Sequence, residues 1–424
     1  MNKITSVTEI KVPVSKSIGA RFLVAAYFAG TLPADPYFED NDDLMVLQQA
    51  LLSLYSDEQP IDYGNTPIDV HASGTAFRFV TAVCASTPGA DFVITGTPRL
   101  CGRPMKQLVE VLNDAGASIM PLGKNETGPY RITGKRLKGG EFSIAGNISS
   151  QFISALMLAA PGWEEGMKLN FTTSLVSRPY IEMTASVMKK FGIDVRLTDE
   201  FVVVKNGKYK DPENFKVEAD WSSASFFYEA SALNKCPFMI ENLISPADST
   251  QGDSGCESIF RRLGVSSKFN KDGAVLNASL QVDEFVEIDF RDMPDLVLPY
   301  AVAAMLLDTK FKLSGVENLK IKESDRINSL IKESAKLGFQ LKYEDGCIKW
   351  NGERVPCQKD PIIETYDDHR VAMAFAMCVF KTGSIKIAHP DVVEKSFADF
   401  WNQIVKLNVK MARENDIMLI TMKS

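Results

Sequence analysis

Histidine is scarce in this sequence: there are three in 424 residues, at positions 71, 369 and 389. So few imidazoles argue against a multi-histidine metal site, and without a GxSxG elbow they give a Ser-His-Asp triad little support. The seven cysteines (84, 101, 236, 256, 347, 357 and 378) are odd in number, scattered and never in CxxC spacing. They point to neither a disulfide framework nor a zinc site and read as reduced thiols. Cys101 lies near Arg103 but is given no nucleophilic role. Neither GxGxxG nor GxxxxGK[ST] occurs, so NAD and ATP are not indicated. A basic excess is missing as well: 47 Lys and Arg against 54 Asp and Glu give a net charge of -7, which argues against sequence-independent nucleic-acid binding. Long apolar runs are absent. The longest, Leu296 to Leu307, is bracketed by Asp295 and Asp308 and is too short to span a bilayer. The opening MNKITSVTEIKVPVSK lacks the apolar core of a signal peptide, so no membrane partner and a cytoplasmic location are expected.

What remains is a globular composition, 45% hydrophobic and 24% charged, in a chain longer than the roughly 250–300 residues at which single cores stop growing. Four segments repeat one punctuation, a polar or Pro start, helical periodicity, Gly, then a strand-like stretch: RPMKQLVEVLNDAGASIMPL, RPYIEMTASVMKKFGIDVRLT, GDSGCESIFRRLGVSSKF and SDRINSLIKESAKLGFQLKYE. Their glycines, Gly116, Gly192, Gly264 and Gly338, are 76, 72 and 74 residues apart. In the first, Met105, Leu108, Val109, Leu112 and Ala115 form the stripe of an amphipathic helix, with Pro104 suited to its first position. Gly116 can take the left-handed conformation that ends it. Two weaker copies, DDLMVLQQALLSLYSDEQ near residue 55 and FADFWNQIVKLNVKMA with Asn408 in the Gly position, bring the count to six. Units of this length and number suggest an α/β protein of two lobes with three units each.

Residues that could do chemistry sit before or at the starts of predicted helices: VSKSIGAR (14–21), ASGTAFR (72–78), CGRP (101–104), GNISSQF (146–152), SRPY (177–180), MPD (293–295), NLKIKESDR (318–326), DDHR (367–370) and EKSF (394–397). Each sets cations, hydroxyls, amides or small residues where a helix offers free N–H groups and partial positive charge, which suits phosphate and carboxylate ligands. Singly, SKS reads as a capped helix start, DDHR as a solvated turn and SSQF as a polar edge. The combination is more specific than its parts.

Taken in order, from about residue 13 to residue 400, these motifs resemble the 5-enolpyruvylshikimate-3-phosphate synthase family of enolpyruvyl transferases. The resemblance implies a two-lobed inside-out α/β barrel of six βαβαββ repeats, three per lobe. Residues 15–217 would form the first lobe, and 1–14 plus 218–424 the second, with two crossover segments as the hinge. It implies transfer of the enolpyruvyl group of phosphoenolpyruvate to the 5-hydroxyl of shikimate 3-phosphate, with loss of phosphate from a tetrahedral intermediate, in chorismate and aromatic amino acid biosynthesis. No metal or organic cofactor is implied, and the chain is expected to be a monomer whose partners are these two small anions.

Residue by residue, the resemblance places Lys16, Ser17, Arg21, Ser149, Ser150, Gln151, Ser177, Tyr180, Asp295, Asn318 and Lys322 on shikimate 3-phosphate. It places Lys16, Gly74, Arg103, Gln151, Arg326, Arg370 and Lys395 on phosphoenolpyruvate, with Arg326 and Arg370 at the carboxylate and Arg103 and Lys395 at the phosphate. Asp295 would be the base for the hydroxyl and Glu323 would exchange the proton at C3, with Lys16 and Lys322 stabilising charge. Two phosphates and two carboxylates bring about five to six negative charges, close to what Lys16, Arg21, Arg103, Lys322, Arg326, Arg370 and Lys395 would neutralise. A planar guanidinium matches a carboxylate bidentately, so Arg326 and Arg370 should not tolerate Lys.

The sequence departs from the family pattern at Ala72, Phe79 and Val14. Phe79 is placed to displace the helix carrying Thr75 and Arg78, which puts glyphosate response in doubt although Gly74 is kept. The rival reading is a UDP-N-acetylglucosamine enolpyruvyl transferase, which typically has a KN pair where this chain has Lys16-Ser17; SSQF and SRPY belong to the shikimate branch. A catalytically inactive anion-binding relative is the other rival. Joint retention of Lys16, Asp295 and Glu323 argues against it, because binding alone needs no acid and base.

Overall fold

The computed structural model describes residues 7–35, 37–38, 41–54, 67–213, 215–278 and 281–423. One backbone pattern recurs through them: strand, helix, parallel strand, helix, then an antiparallel hairpin whose last strand docks on the second strand. It appears in five four-stranded sheets among the described residues, each with its strands in the spatial order first, second, fourth, third. In one copy Phe285–Asp289 runs parallel to Lys310–Ser314, and Cys347–Trp350 pairs antiparallel with both Lys310–Ser314 and Lys342–Glu344. Side chains alternate across the strand Phe285–Asp289, with Val286 and Ile288 buried and their neighbours exposed, so one face of the sheet is apolar and the other solvated.

The helices are of two kinds. Those joining the two parallel strands, such as Gly74–Ala85, Ser150–Ala159, Val297–Leu306 and His369–Ala376, are almost wholly buried. Val297–Leu306 is the apolar run noted in the sequence, and being apolar all round it can only sit in a core. Each Val, Leu or Phe buried there contributes about 1.5–3 kcal/mol. Those leading to the hairpin, such as Lys106–Asp114, Arg178–Lys190 and Arg326–Lys336, bury one stripe and leave the other to solvent. Apolar helices within and sheets around them are the inside-out α/β arrangement the resemblance implied. The helix predicted to begin at Pro104 begins at Lys106, with Met105 as its cap and a separate short turn, Pro98–Cys101, before it.

The chain forms two compact units, Met1–Ser15 with Glu218–Ser424, and Lys16–Val217. The first holds three of the sheets and one continuous core running from Ile10 to Ile420. Its first repeat is interrupted: strand Thr8–Ile10 pairs in parallel with Phe238–Glu241, and the whole of the other unit is inserted between this strand and its helix Trp221–Asn234. Where the chain leaves and returns the two segments are stitched together: Ser15 N–H donates to the Glu218 carbonyl at 2.7 Å and Asp220 N–H to the Pro13 carbonyl at 2.9 Å. Among the described residues the unit Lys16–Val217 contains two sheets and, besides the helices of their repeats, the helices Lys16–Ala29 and Asp42–Leu52. The latter helix opens the repeat copy predicted near residue 55; the rest of that copy, from 55 onward, lies outside the described residues.

The repeated glycines end their helices as expected. Gly116, Gly192, Gly264 and Gly338 have φ of 113°, 80°, 84° and 92°, and Asn408 takes the same role at 67°. A Cβ added at Gly116 would meet nothing within 4 Å, so an alanine there tests the backbone conformation alone. Gly116→Ala is expected to lower unfolding free energy by about 1–2 kcal/mol in urea titrations, and Asn408→Gly to leave it unchanged or slightly raised.

Candidate active site

In the unit Lys16–Val217 the helix starts converge. Arg21, one turn after Ser17 on helix Lys16–Ala29, is 2% exposed. Its Nε donates to Thr184 Oγ1 at 2.6 Å, Nη1 to the Ser17 carbonyl at 2.7 Å, and Nη2 to Ser154 Oγ at 3.1 Å and the Tyr180 carbonyl at 3.0 Å. All these partners are neutral, and burial pushes the guanidinium down to about 10. A buried cation held by dipoles alone suits a site that receives an anion. The four partners come from three helices, because Ser17 and Arg21, Ser150 and Ser154, and Tyr180 and Thr184 are each spaced i, i+4. Ser149 and Ser177 occupy the N-caps of helices Ser150–Ala159 and Arg178–Lys190, Ser177 with φ 54°.

Beside them, Gln151 Nε2 donates to Thr75 Oγ1 at 3.0 Å, and Arg78 Nη1 donates to the Gly74 carbonyl at 2.7 Å. A Cβ at Gly74 would stand 2.7 Å from both Arg103 Nη1 and Arg78 Nη1, so the absence of a side chain lets two guanidinium groups approach the start of helix Gly74–Ala85. Phe79 fills the core with its ring 5.7 Å from the Arg21 guanidinium, and the helix still presents Gly74, Thr75 and Arg78 to Arg103 and Gln151. Lys16 Nζ is paired with Asp43 Oδ2 at 3.0 Å, a partner supplied by helix Asp42–Leu52.

The unit containing Glu218–Ser424 builds a different cluster. Asp295, on the turn Pro294–Leu296, accepts from Arg326 Nη1 at 2.8 Å through Oδ1 and from Arg370 Nη2 at 2.9 Å through Oδ2. Lys322 Nζ is 4.0 Å from the same Oδ1. Burial alone would push this carboxyl up, but Arg370, Lys322 and Arg326 together hold it well below the usual carboxylate range. Arg326, 2% exposed, also donates from Nη2 to Glu323 Oε2 at 2.9 Å and from Nε to Asp368 Oδ2 at 2.8 Å. Asp295, Lys322, Glu323, Arg326 and Arg370 are therefore one charge web. The DDHR segment, which alone reads as a solvated turn, buries Asp368, His369 and Arg370, because its second carboxylate faces a guanidinium rather than water.

Two assigned residues stand apart from this web. Asn318, on the turn Glu317–Ile321, has a buried Oδ1 with no hydrogen-bond partner among the described residues. Lys395, on the turn Glu394–Phe397 that packs against Arg370's helix, has no ion pair among the described residues. Thr184, Ser154, Asp43, Ser324 and Asp368 hold the assigned side chains and were not singled out in the sequence. The i, i+4 spacing could have found the first two, and the DDHR motif contains Asp368. Among the described residues no group of His, Cys, Asp and Glu is arranged to hold a metal ion, and no helix is long and apolar enough to cross a membrane.

Asp253 is a buried carboxyl that accepts from Ser222 Oγ and is pushed up to about 7, chiefly by burial and then by the Asp295 charge. The unfolded chain loses this proton near pH 4, so stability falls as pH rises from there to about 7 and then levels off. Asp253→Asn should flatten that decline: in thermal melts its advantage over the natural protein should be larger at pH 8 than at pH 5.

The family profile of EPSP synthase (3-phosphoshikimate 1-carboxyvinyltransferase) matches residues 2–404. A Bacteroides fragilis (strain YCH46) protein named 3-phosphoshikimate 1-carboxyvinyltransferase is 38% identical over 409 residues, covering 96% of this chain and 97% of the relative. A Vibrio campbellii protein of the same name is 30% identical over 434 residues, covering 96% and 98%. An EPSP synthase structure from Acinetobacter baumannii superposes with a TM-score of 0.73 at 23% identity over 97% of both chains, a likeness of fold. With the profile spanning nearly its whole length, the chain belongs to the EPSP synthase family.

Proposed function

We propose that the protein transfers the carboxyvinyl group of phosphoenolpyruvate to the 5-hydroxyl of shikimate 3-phosphate and releases phosphate, in the route to chorismate and the aromatic amino acids. The observation that carries the reading is Asp295, kept ionised between two buried arginines that are themselves suited to a carboxylate ligand. Arg326 and Arg370 would take the donor's carboxylate and Arg103 and Lys395 its phosphate, with Lys16, Gly74 and Gln151 also in contact with the donor. Arg21, Ser17, Ser149, Ser150, Gln151, Ser177, Tyr180, Asn318 and Lys322 would take the acceptor. In the same reading the protein is a cytoplasmic monomer, residues 15–217 are one lobe, and the paired segments around Ser15 and Glu218 are the hinge.

The chemistry follows from competition for the same N–H groups. When the donor's carboxylate occupies Arg326 and Arg370, Asp295 loses partners that depress its basicity and becomes able to accept the proton of the 5-hydroxyl. The hydroxyl oxygen then bonds to C2 while C3 takes a proton through Glu323, giving the tetrahedral ketal. Loss of a C3 proton and of phosphate from C2 restores the double bond. Lys16 and Lys322 stabilise the charge that develops on the oxygens.

Phosphate release from phosphoenolpyruvate should occur with shikimate 3-phosphate as acceptor and not with UDP-N-acetylglucosamine; the reverse would refute the assignment. Asp295→Ala and Glu323→Gln should each lower kcat about 100-fold or more with small changes in KM. Arg21→Ala should chiefly raise the acceptor's KM, by about 10- to 100-fold.

A further inference from the structure

Asp368 is fully buried, so it does not face a ligand. It nonetheless joins both arginines of the charge web. Its Oδ2 accepts from Arg326 Nε at 2.8 Å and from Ser324 Oγ at 2.9 Å. Its Oδ1 accepts from Arg326 Nη2 at 3.3 Å and from the backbone N–H of Arg370 at 3.0 Å. One carboxylate thus sets Arg326 through the guanidinium and Arg370 through the start of helix His369–Ala376, whose N-cap it is.

A guanidinium carries its donors in a rigid planar fork. Asp368 occupies the edge of Arg326 formed by Nε and one proton of Nη2, which turns Nη1 toward Asp295 and the other proton of Nη2 toward Glu323, with bonds of 2.8 and 2.9 Å. The plane of the group is fixed by a partner that no substrate can displace, while the working edge makes bonds that a substrate's carboxylate could take over.

We propose that Asp368 is a positioning residue for the donor's carboxylate: it anchors Arg326 by the Nε edge so that the Nη edge can pass from Asp295 to the substrate. This rests on the carboxyvinyl-transfer reading. Asp368 also shares the positive charge of Arg326, which limits how tightly that charge grips Asp295. Without the Asp368 charge, the buried guanidinium would tighten on Asp295 and Glu323, the partners left to it. The donor would then have to break a stronger internal pair, and Asp295 would be released less readily to act as base.

A purely structural role, capping helix His369–Ala376, is separable from this one. Asn caps a helix about as well as Asp, so Asp368→Asn keeps the cap and removes the charge. In the full-length protein this variant should still fold with helix His369–Ala376 intact, at a melting temperature lowered by the loss of a buried ion-pair partner. Its KM for phosphoenolpyruvate should rise about tenfold or more and kcat should fall, with KM for shikimate 3-phosphate within about twofold. Ser324→Ala, which removes one bond to the same carboxylate, should move the donor's KM in the same direction by about two- to fivefold, and decides the matter if Asp368→Asn does not fold. Unchanged donor kinetics in a folded variant, or equal rises in both KM values, would overturn the proposal. If the parent protein releases no phosphate, the transfer reading fails instead, and the anchor is read from NMR of the arginine Nε–H groups. A slowly exchanging resonance lost in Asp368→Asn supports it, and an unaltered spectrum overturns it.

Discussion

Asp295 lies with one carboxylate oxygen against Arg326 and the other against Arg370, in a part of the chain where both guanidinium groups are almost fully buried. Burying any of the three alone would be costly, and removing one from such a set typically costs about 3–5 kcal/mol because the others are left uncompensated. The rest of the cluster follows from that constraint. Lys322 and Glu323 sit in the loop ahead of Arg326, Asp368 sits two residues ahead of Arg370, and the six side chains together balance three positive against three negative charges. The arginines can be kept inside and ready because a carboxylate of the protein holds the place that the proposed reaction gives to one of the substrate.

The unit Lys16–Val217 meets the same difficulty differently. Arg21 is equally buried but is held by hydroxyls and carbonyls, with no carboxylate partner among the described residues. Its charge is balanced by dipoles and not by an opposite charge, which is what the proposed reading needs of a group that meets a phosphate. The neighbouring Arg103 and Arg78 both approach Gly74, where a side chain would collide with them. One unit therefore holds a buried guanidinium by neutral groups, and the other holds two by carboxylates of the chain. Both designs place the cation at or near a helix start, where the free N–H groups add to its attraction for anions.

Much of this was legible in the sequence, for identifiable reasons. Helix ends were readable because few residues tolerate positive φ, so Gly116, Gly192, Gly264, Gly338 and Asn408 marked the same point in five repeats. The apolar run Leu296 to Leu307 was readable as too short for a bilayer, and the structure places most of it in the buried helix Val297–Leu306. The starts carrying Lys16, Gly74, Ser150, Arg326 and Arg370 were readable from cap chemistry. The pairings were not. That Arg326 reaches Asp295 and Asp368, across 31 and 42 residues of sequence, depends on how separate repeats pack, and no local pattern records it. Counting cations against substrate charges overlooked that Lys16, Lys322, Arg326 and Arg370 already face carboxylates of the chain itself. The split of the first repeat around the inserted unit likewise carries no composition signal; it came from family resemblance.

The most direct test is a double-mutant cycle on the central interaction, with Asp295→Asn, Arg370→Gln and the double variant compared in urea unfolding without ligands. A coupling free energy of about 2 kcal/mol or more is expected if the carboxylate and the guanidinium hold each other in the interior. Effects that add to within about 0.5 kcal/mol would mean that the two groups are independent, and the account built on their pairing would be contradicted.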